Sequence, residues 1–274
     1  MRRLLIRPGA IGDCILSLPA LEHLRTDYTE VWAPSAVIPL YGAFDRARSL
    51  ASTGLDLFGL PGLDAPPALI AALRSFDSIE SWYGENRPEF RHAAKSLPIS
   101  FHRSLPPAGD VHAADFFARQ VGCPTPAIPR IEVPNVAARS SVIIHPFSGG
   151  ATKNWPLDCF RDLANRLPLT VEWSAGPEEE LPEASRIENL YDLATWIAGA
   201  RLFVGNDAGI THLAAAVGAP VVALFCKTDP AVWAPRGNNV RVLAPPESVQ
   251  AVLAECLRYT SAWLSCPPKP PILY

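Results

Sequence analysis

From Ser141 onward, short apolar runs recur along the chain, in Ser141-Val142-Ile143-Ile144-His145, Leu202-Phe203-Val204 and Val221-Val222-Ala223-Leu224-Phe225, and residues 169–173 read as a further strand. Runs of this length without polar alternation predict strands buried on both faces. Between them, residues 157–167, 190–198 and 211–217 space their apolar positions as helices do, and a last helix is predicted over 249–263. Strands alternating with helices imply a parallel sheet joined by right-handed crossovers.

The amino-terminal half is less regular. A short apolar run ends at Arg7 and is followed by Pro8-Gly9-Ala10-Ile11-Gly12-Asp13. Ile15, Leu16, Leu18, Leu21 and Leu24 then fall at helical spacing, and Pro19 should kink that helix or mark its first turns. Residues 31–33 read as the next strand. Residues 34–107 alternate apolar segments with Gly and Pro breaks and give no firm element order. Residues 111–121 predict a helix, and 122–136 hold four prolines, as an extended linker does. The expectation is an α/β protein of two Rossmann-like domains, 1–136 and 137–274. The last helix packs locally or crosses back to the first domain. Ligands are expected in a cleft between the domains, beyond the carboxyl ends of the strands.

Composition narrows the function. The 274 residues are 49% hydrophobic and 19% charged, a globular balance long enough for two cores. A net charge of -3 argues against nucleic acid as the main partner, because counterion release needs a broad basic surface. The start resembles a signal peptide, but Arg7, Asp13, Pro8-Gly9 and Gly12 interrupt its apolar run. No apolar stretch of bilayer length occurs. The cysteines Cys14, Cys123, Cys159, Cys226, Cys256 and Cys266 are scattered without a CxxC pair, which fits reduced thiols in a cytosol better than a disulfide framework or a zinc site.

Candidate chemistry collects where strands give way to glycine loops. Gly9 to Asp13 is one such place: glycines let a ligand approach, yet Asp13 reads as a helix cap at least as readily as a catalytic carboxylate. The spacing is not that of a dinucleotide fingerprint. His145-Pro146-Phe147-Ser148-Gly149-Gly150-Ala151-Thr152-Lys153-Asn154-Trp155-Pro156 offers amides, hydroxyls and a cation to a diphosphate, or is a surface loop with a solvated lysine. In Gly205-Asn206-Asp207-Ala208-Gly209-Ile210-Thr211-His212, a helix start can meet phosphate, while a lone histidine such as His212 is more often a satisfied core residue. Glu178 to Glu180, after Gly176-Pro177, suit ribose hydroxyls or a solvated helix start.

In their order and settings, LIRPGAIGDCILSLPALEHLR, HPFSGGATKNWP and LFVGNDAGITHLAAAVGAPVVALFCKTDP resemble the three signatures of the heptosyltransferase (family 9) glycosyltransferases. The resemblance implies the GT-B architecture and inverting transfer of a sugar from a nucleotide-sugar, ADP-heptose in that family, to a lipopolysaccharide-core or other glycan acceptor. It implies that Asp13 is the general base and that Lys153 stabilises the leaving diphosphate. Gly12, Ser148, Gly149 and Thr152 would line the donor site. Glu179 would hold the ribose and Asp207 the sugar hydroxyls, with Gly209 and His212 on phosphate. No metal and no further cofactor is called for.

Two positions depart from the pattern: Ala208 stands where a hydroxyl residue is usual, and Cys226 replaces a glycine. On the acceptor side, Arg87, Arg91, His92, Lys95, His102 and Arg103 face the single acid Glu89 within residues 87–103. Arg87, Arg91 and Lys95 can meet an anionic glycolipid at the inner membrane surface, or form an ordinary solvated face. The expected location is cytoplasmic, with peripheral membrane contact. A nucleotide-sugar epimerase and a degenerate nucleotide-sugar-binding protein are the rival readings. An epimerase usually needs a richer carboxylate set than Asp13 and Asp207, and the retention of Asp13 and Lys153 weighs against degeneracy.

Overall fold

The computed structural model describes residues 1–107, 109 and 111–265. The chain divides into two units, Met1–Pro129 and Arg130–Tyr274. Cys14, Cys123, Cys159, Cys226 and Cys256 are free thiols, and Cys266 lies outside the described residues.

In the first unit the strands are β1 (Arg2–Ile6), β2 (Tyr28–Ala33), β3 (Arg46–Ser49), β4 (Ser78–Ser81) and β5 (Ile99–Phe101). They form a parallel sheet in the order β3-β2-β1-β4-β5. The helices are α1 (Ile11–Leu16), α2 (Leu18–His23), α3 (Pro67–Arg74), α4 (Pro88–Ala93) and α5 (Ala113–Gln120). The single helix expected after Asp13 is in fact α1 and α2, broken at Ser17. Pro19 sits in the first turn of α2, where its missing N–H costs nothing. Leu4, Ile6, Trp32, Ile79 and Phe90 are buried together, and this apolar contact fixes the sheet against its helices.

The second unit contains β6 (Ser141–His145), α6 (Leu157–Arg166), β7 (Thr170–Trp173), α7 (Leu190–Ala198), β8 (Leu202–Asn206), α8 (Gly209–Ala216), β9 (Val221–Leu224), α9 (Pro230–Trp233), β10 (Val240–Leu243) and α10 (Val249–Ser265). The sheet order is β10-β9-β8-β6-β7, again parallel. Every residue of β6, β8 and β9 is buried, as their apolar runs predict. The last helix buries Val252, Leu253 and Cys256 in this unit's core beside Phe160 and Leu163 of α6. Burying side chains of this size contributes about 1.5–3 kcal/mol each.

Each sheet reverses its winding once. In the first unit the chain runs outward from β1 through β2 to β3, then returns to begin again at β4. In the second it runs from β6 to β7, then returns to β8 and continues through β9 to β10. The loops leaving two neighbouring strands therefore diverge, opening a crevice at β1/β4 and at β6/β8 where open α/β sheets bind ligands. Loop 8–13 leaves β1, and the loops after β6 and β8 carry Lys153 and Asp207. Gly205 permits the close approach at β8: a side chain there would meet Thr211 Oγ1 at 2.7 Å and the His145 carbonyl at 3.2 Å.

Candidate active site

At the β6/β8 switch point, Asn206 holds the loop that leaves β6. Its Oδ1 accepts from the Trp155 amide at 2.9 Å, and its Nδ2 donates to the Pro146 carbonyl at 2.7 Å. One fully buried side chain thus pins both ends of loop 146–155. Within the loop, Ser148 Oγ lies 2.6 Å from Asn154 Oδ1, so this hydroxyl is turned back on its own loop. Residues 151–153 make a single 3-10 turn, which leaves Thr152 exposed and sends Lys153 back toward β8.

Lys153 Nζ reaches Asp207 Oδ2 at 2.8 Å. The carboxylate is 6% exposed and the ammonium 37%. Thr228 Oγ1 donates to the same oxygen at 2.6 Å, and His212 Nε2 lies 3.9 Å from Oδ1. A carboxylate taken out of water needs this compensation. Behind it, Thr211 donates to the Asn206 carbonyl at 2.6 Å and staples β8 to α8. The cap of α8 is Ala208, which supplies no side-chain acceptor. The first amides of a helix have no intrahelical partner and carry its positive dipole end. The missing hydroxyl at position 208 therefore leaves the start of α8, including Gly209, without a side-chain cap beside a lysine.

Next to this cradle is a cavity of about 530 Å³ lined by Ser148, Gly149, Gly150 and Ala151 on one side and Gly176 to Glu179 on the other. Glu179 Oε2 accepts from the Gly176 amide at 2.6 Å. Partial burial pushes its carboxyl up, against the opposing pull of that amide and of Arg186. Behind Glu179 stands His145, whose Nε2 is 3.8 Å from Glu179 Oε2. Burial pushes His145 down to about 4, so the ring is neutral at neutral pH. Its Nδ1 lies 3.1 Å from the Ser174 carbonyl, an acceptor, so Nδ1 carries the proton and Nε2 is left as an acceptor facing the cavity residue.

In the first unit, Asp13 occupies the first turn of α1 with Gly12. Its Oδ2 accepts from the Ala10 amide at 3.0 Å, so the capping role is present in the structure. Gly9, at φ 124, makes room for it: an added Cβ would lie 2.9 Å from Asp13 Cβ. Capping holds the carboxylate in one rotamer at the β1/β4 switch point and does not exclude chemistry there. The basic stretch is only partly available. Arg87 pairs with Glu89 at 3.0 Å and donates to Tyr83 Oη at 2.8 Å, and His102 pairs with Glu80 at 2.8 Å. Arg91, His92 and Lys95 instead line a cavity of about 720 Å³ with Glu85 and Asn86.

The structure brings Lys153, Asp207, Gly209 and His212 together, and places Ser148, Gly149 and Glu179 around the adjoining cavity. The sequence alone assigns no role to Asn206, Thr228, His145 or Arg7. Thr228 lies in the stretch after β9, at the same sheet edge as Asp207, and that position was its one visible signal.

Residues 114–258 match the model of glycosyltransferase family 9 (heptosyltransferase). The chain is 28% identical to lipopolysaccharide heptosyltransferase 1 of Pseudomonas aeruginosa over 87% of its length and 82% of that protein's. Its fold is similar to that of Escherichia coli ADP-heptose lipopolysaccharide heptosyltransferase II, with a TM-score of 0.74 at 17% identity over 96% of this chain and 99% of that one. It is also similar to E. coli heptosyltransferase WaaC solved with ADP, with a TM-score of 0.67 at 18% identity over 94% and 100%. Among the described residues no helix is long and apolar enough to cross a membrane.

The depressed His145 value fixes a sign. The unfolded chain takes up this proton near pH 6.5 and the folded chain only near 4, so His145 costs stability as pH falls through that window. His145→Asn keeps a donor for Ser174 without the titration. Wild-type stability, measured by denaturant unfolding, is expected to fall relative to the variant by up to about 1.4 kcal/mol per pH unit as pH drops from 6.5 to about 4, and to level off below that. Parallel curves would show that the ring is not held neutral.

Proposed function

This chain belongs to glycosyltransferase family 9 (heptosyltransferase), and from that premise we propose that it moves a heptose from ADP-heptose to a lipopolysaccharide-core acceptor with inversion at the anomeric carbon. The observation that carries the donor half is the Lys153–Asp207 pair beside the start of α8, which has no side-chain cap. A diphosphate is a compact, doubly ionised ligand. A lysine together with a helix N-terminus supplies the charge and N–H groups it needs.

In this reading the Lys153 ammonium meets the charge that grows on the departing phosphate, a transition-state contact worth about 3 kcal/mol. Asp207, itself held by the Thr228 hydroxyl, keeps that ammonium in place and orients sugar hydroxyls. The Gly209 amide and His212 take phosphate oxygens, and Ser148, Gly149 and Thr152 border the donor. Glu179, acceptor-only when ionised, takes the ribose hydroxyls. The Asp13 carboxylate accepts the proton of the acceptor hydroxyl as its oxygen bonds to the anomeric carbon. The bond from that carbon to the diphosphate oxygen breaks, and ADP leaves with the electron pair. With this cation and helix terminus at the diphosphate, the reaction needs no metal ion and no cofactor besides the donor.

Arg91 and Lys95, with Arg87 behind them on Tyr83 and Glu89, give the first unit a cationic face for an anionic glycolipid. Such a face also suits peripheral contact with the cytoplasmic side of the inner membrane.

Calorimetry with ADP, UDP, GDP, CDP and ADP-heptose tests the donor reading. ADP and ADP-heptose should bind preferentially, and Lys153→Ala should weaken both by about tenfold or more. Preference for another base would discard the heptose donor, and absence of any binding would support a degenerate protein. On the acceptor side, reversing Arg91 and Lys95 to Glu should reduce sedimentation with anionic-lipid vesicles while ADP affinity stays constant. Unchanged sedimentation would remove that role.

A further inference from the structure

The cationic residue nearest to loop 8–13 is absent from the roles above. Arg7 follows β1 directly, its amide donates to the Trp32 carbonyl at 2.9 Å, and the whole residue is inaccessible to solvent. A buried guanidinium stays protonated and is costly unless its donors are engaged. Burial pushes it down from its ordinary value, with the negative charge of Asp13 opposing. Its side-chain donors are engaged by one hydroxyl and two backbone carbonyls. Nε donates to Ser17 Oγ at 2.9 Å, one terminal nitrogen to the Pro8 carbonyl at 2.7 Å, and the other to the Asp13 carbonyl at 3.0 Å. The ring of Phe117, from α5, covers it at 4.4 Å.

We propose that Arg7 is the positioning residue for Asp13: its rigid fork ties Pro8, which opens the loop after β1, to Asp13 in the first turn of α1, and so sets where the Asp13 carboxylate stands. The planar guanidinium has donors in fixed directions, so one side chain clamps two carbonyls that bracket the loop. The Asp13 side chain has little freedom of its own, being bonded to the Ala10 amide and packed on Gly9, so its location follows the loop backbone. An apolar residue would fill the same space and leave the Pro8 and Asp13 carbonyls without this donor. Proton abstraction depends steeply on such placement. The proposal rests on the reading of Asp13 as general base.

The test uses the full chain, with ADP-heptose as donor and lipopolysaccharide extracted from a heptose-deficient bacterium as acceptor. Arg7→Met, Arg7→Lys, Asp13→Asn and the double variant Arg7→Met/Asp13→Asn are compared. Arg7→Met should lower kcat by about tenfold or more, with KM for donor and ADP affinity within about twofold of wild type. Arg7→Lys keeps the charge without the fork and should fall between. Adding Arg7→Met to Asp13→Asn should cost little more, because both act through one carboxylate. Should Arg7→Met fail to fold, the kcat of Arg7→Lys at unchanged donor KM decides. A folded Arg7→Met with wild-type kcat, donor affinity that falls in step with kcat, or fully additive losses in the double variant would each overturn the positioning role. Undiminished transfer by Asp13→Asn would remove the base reading itself. No transfer by the wild type would remove the functional reading, and either result takes this proposal with it.

Discussion

The second unit is organised around the ion pair between Lys153 and Asp207. A carboxylate almost wholly withdrawn from water is tolerable only where cations and donors compensate it, and each compensating group comes from a different element. Lys153 arrives on the loop after β6, Thr228 on the stretch after β9, and His212 on the first turn of α8. Asn206 pins the β6 loop, and Gly205 lets β8 run close enough to Thr211 and His145 for that loop to close. The pair therefore reports whether the parallel sheet, its switch point and its loops have all formed.

Such an arrangement is poised for exchange. Lys153 is more exposed than its partner, so in the proposed reading a diphosphate shares the ammonium without dismantling the buried side. The start of α8 adds neutral donors that carry no counter-anion of their own, and Ala208, at the position where a hydroxyl is usual, leaves them without a side-chain cap. The first unit shows a similar economy. There a capped carboxylate stands on a glycine loop at the sheet's own switch point, braced by a buried arginine.

The sequence made one half of this far plainer than the other. In the second unit, strands such as Ser141–His145 and Leu202–Asn206 are buried on both faces, so their apolar runs are unbroken and the glycine loops after them stand out. In the first unit, Arg46–Ser49, Ser78–Ser81 and Ile99–Phe101 are short, and two of the three are sheet edges. Half-buried edges carry polar residues, and that washes out the period. The site shows the same contrast. Lys153, Asp207 and Asp13 were visible because each sits in a local strand–loop–helix pattern. Asn206, Thr228 and His145 matter through partners distant in sequence, a relation no local window contains. Arg7 looked like an interruption of an apolar run, and only its three hydrogen bonds to the following loop and helix reveal a purpose.

The most direct test is a crystal structure of the chain grown with ADP. The account predicts the terminal phosphate within hydrogen-bond distance of Lys153 Nζ and the Gly209 amide, with the ribose hydroxyls on Glu179. ADP bound elsewhere, or bound with Lys153 turned away from its phosphates, would contradict the central claim that this ion pair is the donor cradle.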